Sequence, residues 1–151
     1  MEKETKYQIP FLTTRKEFKD FIKQSLEKRD NENKRVIIGI INEEAKQRIK
    51  NVCGAVISNI NIDNNGVIHA LKKKNHNLDP SDLFFAIDVI NTTSDIFMSD
   101  KKHLSNTVLI FKQDIDGEIA FLTEAHIRND YLMIFDAYRQ KKARRCPDAT
   151  R

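Results

Sequence analysis

The chain has 151 residues, 40% of them hydrophobic and 32% charged, with a formal net charge of +4 and an isoelectric point near 9.0. That length fits one domain of about 100–150 residues, and the composition excludes global disorder. The positive charge gathers late, with Arg139, Lys141, Lys142, Arg144, Arg145 and Arg151 against Asp148 alone, which suits a polyanionic partner.

In chain order, Thr13 or Thr14 with Glu17 forms a capping pattern, and Phe18, Phe21, Ile22 and Leu26 then repeat at helical spacing, predicting a helix over residues 15–29. The β-branched run Val36-Ile37-Ile38-Gly39-Ile40-Ile41 reads as a buried strand. A helix over 43–51 follows, with Ala45, Ile49 and Val52 inward and Gly54 as its stop. Residues 56–62 alternate apolar and polar, predicting a short strand that ends in a turn at Asp63-Asn64-Asn65-Gly66. A helix carrying His69 comes next. Asp79-Pro80-Ser81-Asp82 opens another, with Asp79 at the N-cap, Pro80 at the first helical position, and Leu83, Phe84, Ile87 and Ile90 facing a core. Four strand-like runs close the chain, over 96–99, 107–113, 118–124 and 131–138, with turn signals at Asp116-Gly117 and Asn129-Asp130. The expected fold is α+β, with N-terminal helices packed on a C-terminal antiparallel sheet of about four strands.

Cys53 and Cys146 form no Cys-x-x-Cys pair and read as free thiols, and no histidine or acidic cluster has metal-ligand spacing, so neither a metal nor a cofactor is expected. No apolar run approaches the roughly 18–20 residues of a membrane span, and no signal-like core follows Met1. The expectation is a cytoplasmic protein with no membrane partner.

The chemistry-bearing stretch is Gly66-Val67-Ile68-His69-Ala70-Leu71-Lys72-Lys73-Lys74-Asn75-His76, which holds two of only four histidines beside three lysines. On a helix His69 and Lys73 share a face. Histidine has an ordinary pKa of about 6.5 and moves protons near neutrality, while lysine offsets phosphate charge. A plain basic turn of helix on a solvated face has the same pattern. In the last strand run, alternation puts Asp136 and Tyr138 on one face with Leu132 and Ile134, and Met133 and Phe135 on the other.

The order of these features over residues 36–142 resembles the phage-associated nucleases of the barnase, EndoU, colicin and RelE (BECR) superfamily, found in phage polyvalent proteins and bacterial toxins. The matching parts are the 36–41 strand, the helix Glu44-Ala45-Lys46-Gln47-Arg48-Ile49, the His69-Ala70 pair followed by lysine and His76, and Leu132-Met133-Ile134-Phe135-Asp136-Ala137-Tyr138-Arg139-Gln140-Lys141-Lys142. The chain departs from the pattern in the asparagine before His76 and in Asp136, where relatives usually carry a threonine or serine. The resemblance divides the chain into an N-terminal helical extension (1–35), a nuclease domain (36–142) and a basic tail (143–151). It implies a metal-independent endoribonuclease that cuts RNA, tRNA among the candidates, by attack of the ribose 2′-hydroxyl to leave a 2′,3′-cyclic phosphate. His69 is then the general base and His76 the general acid, or the two exchanged, and Lys73 is the charge stabiliser, with Tyr138 and Asp136 completing the catalytic set. Lys72, Lys74, Arg128, Arg139 and Lys141 contact RNA, with His126 near the same turn as Arg128, and an immunity protein or antitoxin is the implied protein partner. The competing readings are an inactive nucleic-acid-binding module on the same fold, favoured by Asp136, and a structural segment of a larger phage protein.

Overall fold

The computed structural model describes residues 9–27, 33–72, 78–102 and 106–141. The described residues form four helices, α1 (Arg15–Glu27), α2 (Glu43–Cys53), α3 (Asn64–Lys72) and α4 (Pro80–Thr92). They accompany six strands, β1 (Arg35–Ile40), β2 (Asn59–Asp63), β3 (Asp95–Met98), β4 (Val108–Asp114), β5 (Ile119–Arg128) and β6 (Tyr131–Lys141). The protein is α+β, as expected. No helix among the described residues is long and apolar enough to cross a membrane.

Helix ends follow local sequence closely. Glu17 Oε1 accepts from the Thr13 and Thr14 N–H groups at 2.9 and 3.1 Å, while the Glu17 N–H donates to Thr14 Oγ1, so the cap signal is a working capping box. Those backbone donors, Thr13 first, hold the Glu17 carboxyl below the usual glutamate range. Asp79 and Asp82 form the same reciprocal box at α4, with Pro80 just inside. Gly54 ends α2 at φ 80°, a left-handed conformation in which glycine carries no Cβ penalty.

The sheet departs from the expectation in size and in kind. It has six strands in the order β1-β2-β6-β5-β4-β3, and it is mixed, because β2 pairs parallel with β6 while the other pairings between these strands are antiparallel. The two early strands therefore join the four late ones rather than standing apart. Burial is the physical reason: Val36, Ile38, Ile60 and Ile62 enter one apolar cluster with Leu132, Ile134, Phe121 and Phe111, and an apolar strand face must be covered. The helices supply that cover through Phe18, Phe21, Ile22, Ala45, Ile49, Val67, Leu83 and Phe84 in the same cluster. Helix α1 is thus part of the core, with Phe18 edge-on to Phe84 at 5.1 Å between ring centroids.

Residues 56–58 are not strand; Val56 is 67% exposed, and β2 begins at Asn59. The turn expected at 63–66 is absent, since β2 runs to Asp63 and α3 starts at Asn64. A polar clasp makes this abrupt switch. Buried Asn64 accepts from the Lys34 N–H at 2.6 Å and donates to Ser25 Oγ at 2.8 Å, and Asp63 Oδ1 accepts from the Gly66 N–H at 2.8 Å. These bonds fix α3 to the end of α1 and to the start of β1.

Candidate functional site

Helix α3 packs chiefly on β6, and glycine permits it. A Cβ at Gly66 would stand 2.6 Å from the Ile134 carbonyl oxygen, closer than atoms pack, so only glycine lets the helix approach the strand this way. The opening for the helix comes from topology. β2 pairs with β6 only from Tyr131 to Ile134, and beyond that point β6 continues to Lys141 without β2 beside it.

At the same place β6 carries a bulge. Ala125 pairs with Ile134 but Glu124 pairs with Asp136, so Phe135 is extra. Glu124 and Ala125 are consecutive and point to opposite faces. Ile134 and Asp136 therefore do as well, which corrects the simple alternation that put Leu132, Ile134, Asp136 and Tyr138 on one face. Leu132, Ile134 and Ala137 lie in the helix-covered core, whereas Asp136 and Tyr138 lie on the face that carries no helix among the described residues.

There the side chains of α3 and β6 meet. His69 Nε2 stands 3.3 Å from Asp136 Oδ2, with the imidazole 41% exposed and the carboxylate 12% exposed. The other Asp136 oxygen, Oδ1, accepts from the Ala137 N–H at 2.9 Å, which holds the carboxylate in place. Directly across the ladder, Glu124 Oε2 accepts from the Tyr138 hydroxyl at 2.5 Å. Burial, then the bond to Glu124 and the charges of Glu124 and Asp136, push the Tyr138 phenol above the ordinary tyrosine range, so it stays a proton donor at neutral pH. The result is a row across two strands and one helix: imidazole, carboxylate, carboxylate, phenol. Two like charges directly opposite on neighbouring strands are unfavourable, and each carboxylate has its own donor.

The remaining expected site residues divide. Lys72 ends α3 three residues beyond His69 and is exposed; Lys73, Lys74 and His76 lie outside the described residues. Arg139 faces the helix side instead, where its Nη2 and Nη1 donate to Asp82 Oδ1 and Oδ2 at 2.6 and 3.2 Å. That bidentate pair ties the end of β6 to the capping box of α4 and engages the guanidinium expected to bind phosphate. Lys141 is exposed at the last position of β6, opposite Ile119. Arg128 pairs with Tyr131 beside the hairpin turn, five residues from Asp136 and so roughly 15 Å along the strand. His126 is buried with its ring edge-on to Phe135 at 5.6 Å.

Glu124 is the site residue that the sequence reading missed. Its signal was present in the Asn129-Asp130 hairpin, where Arg128 pairs with Tyr131 and Asn129 adopts φ 47°. Counting back from that turn places Glu124 opposite Phe135, and the bulge moves it by one to Asp136. Among the described residues no group of three or more His, Cys, Asp or Glu side chains stands close enough to hold a metal ion. Comparison with known proteins returns no family model, curated protein or solved structure that matches this chain.

Proposed function

We propose that this protein is a metal-independent endoribonuclease, and the observation that carries the reading is the His69–Asp136 dyad at the rim of the helix-free sheet face. In this reaction the ribose 2′-oxygen attacks the adjacent phosphorus, the bond from phosphorus to the 5′-oxygen breaks, and a 2′,3′-cyclic phosphate remains. One group takes the 2′-hydroxyl proton and another protonates the departing 5′-oxygen. His69 is the base. Asp136 holds its ring and offsets the positive charge gained with the proton, as an acid behind a catalytic histidine does. The resemblance assigns the acid to His76 and the charge stabilisation to Lys73. Asp136 in place of a hydroxyl residue fits this scheme as a positioning group.

A second reading draws on the same geometry. Asp136 and Glu124 stand opposite each other and repel a phosphate placed for attack at His69, which favours a module that binds nucleic acid elsewhere on its surface without cutting it. The two readings part on one experiment. Total bacterial RNA is incubated in EDTA with the wild type and with a His69→Ala, His76→Ala variant, and the cut ends are mapped for cyclic phosphate. Discrete cleavage by the wild type alone supports the nuclease. Equal cleavage by both overturns the histidine mechanism, and binding without cleavage moves the conclusion to the inactive module.

A further inference from the structure

Arg35 opens β1, and the resemblance left it outside the nuclease domain. Val36 enters the core cluster, so Arg35 points to the helix-free face; Tyr131, which precedes the core residue Leu132, does the same. The two meet there. The Arg35 guanidinium lies 4.3 Å above the Tyr131 ring, and its Nη1 donates to the Tyr131 hydroxyl. The Arg35 Nε is buried with no hydrogen-bond partner among the described residues. No carboxylate among them lies within ion-pair distance of it either. Asp63, its cross-strand neighbour, uses its two oxygens on Asn33 Nδ2 and the Gly66 N–H.

Other cations near the site are placed differently. Arg139 is neutralised by Asp82 on the opposite face, and Lys112 faces Asp95 across β3 and β4. Among the described residues Arg35 is therefore a half-buried cation with no carboxylate at ion-pair distance, an arrangement whose desolvation cost an incoming anion offsets. Register puts its Cα level with Phe135, while the guanidinium leans back along the face to Tyr131, the first residue of β6. Arg35 pairs with Asp63, and Ile62 pairs with Ile134, so Arg35 stands abreast of Phe135, two strand spacings or about 10 Å away.

We infer that Arg35, braced by Tyr131, is an anion subsite on this face that holds a phosphodiester of the RNA strand bound at His69 and Asp136, one or more nucleotides from the reacting ribose. Identifying the anion as RNA rests on the proposed function. The planar guanidinium fork suits phosphate oxygens, and stacking on Tyr131 limits the rotamer freedom lost on binding. The subsite also offsets part of the repulsion from Asp136 and Glu124, by supplying positive charge elsewhere on the same face.

The test uses the full chain and a labelled 2′-O-methyl oligoribonucleotide, which lacks the attacking hydroxyl, with anisotropy read across a salt series. Arg35→Ala is expected to weaken binding about ten-fold or more and to reduce the slope of log affinity against log salt by about 0.7, the loss of one phosphate contact on a single strand. Arg35→Lys keeps the slope while losing several-fold in affinity, because it retains charge without the fork. Lys50→Ala, exposed in the last turn of α2, changes neither. Wild-type affinity and slope in Arg35→Ala, or no binding of the probe by the wild type, overturns the inference. Should Arg35→Ala not fold, Arg35→Gln against Arg35→Lys decides, since only the glutamine variant loses the slope. Arg35-dependent binding without cleavage of ordinary RNA overturns the nuclease reading alone. Cleavage with Arg35-independent binding overturns this inference alone.

Discussion

The two halves of β6 meet different surroundings. From Tyr131 to Ile134 the strand lies between β2 and β5, and Leu132 and Ile134 are fully buried in the core. From Asp136 onward β2 is gone, α3 stands alongside, and the outward residues are an acid and a phenol held by His69 and Glu124. The single extra residue Phe135 separates the halves. One strand thus anchors the fold and builds a site, because a bulge shifts which residues face out without breaking the ladder on either side.

Substitutions in the two halves should separate stability from chemistry. Ile134→Ala removes a fully buried side chain from the first half and should cost about 2–5 kcal/mol in urea unfolding; a cost below about 1 kcal/mol would mean that this half is not the anchor. Gly66→Ala presses a methyl group against the Ile134 carbonyl and should cost about 1–3 kcal/mol, with α3 displaced and the His69 resonances shifted in an NMR spectrum. An unchanged midpoint and spectrum would show that the close approach of helix and strand is not needed.

Beyond the bulge the expected effects on stability are smaller. Tyr138→Phe removes the bond to Glu124 and should cost about 1 kcal/mol. Its pH dependence has a definite sign. The phenol is raised in the folded state, so its contribution is present below the ordinary tyrosine value of about 10 and is lost as pH climbs above it. The wild type should therefore lose more stability than Tyr138→Phe on that alkaline side, and parallel curves would contradict the assignment. Asp136→Asn, nearly the same shape, keeps an oxygen for the Ala137 N–H and removes one of two facing charges, so it should change stability by only about 1 kcal/mol. If the dyad is catalytic, it should nevertheless slow RNA cleavage by about ten-fold or more, through a mispositioned imidazole.

Much of the secondary structure was legible. Thr14 with Glu17 and Asp79 with Asp82 announced their helices because a cap is a contract among residues three or four apart. Four of the six strands lie close to their predicted ranges; β2 is shorter than its apolar pattern suggested, and β5 continues past Glu124 through Ala125 and His126, which find partners in Ile134 and Met133. The site was half legible. His69, Asp136 and Tyr138 stood out by residue type and by family resemblance, whereas only the count back from the Asn129-Asp130 hairpin marked Glu124.

What the sequence determined by itself was the succession of helices and strands, their caps and the α+β class, since these depend on neighbours within a turn or a strand's alternation. The joining of β2 to β6 in parallel, the bulge at Phe135, the close seat of Gly66 on Ile134 and the meeting of His69 with Asp136 were decided by tertiary structure alone. Each requires burying one apolar face shared by distant segments, and the free energy of that burial is set by which partners come together rather than by any segment's own pattern.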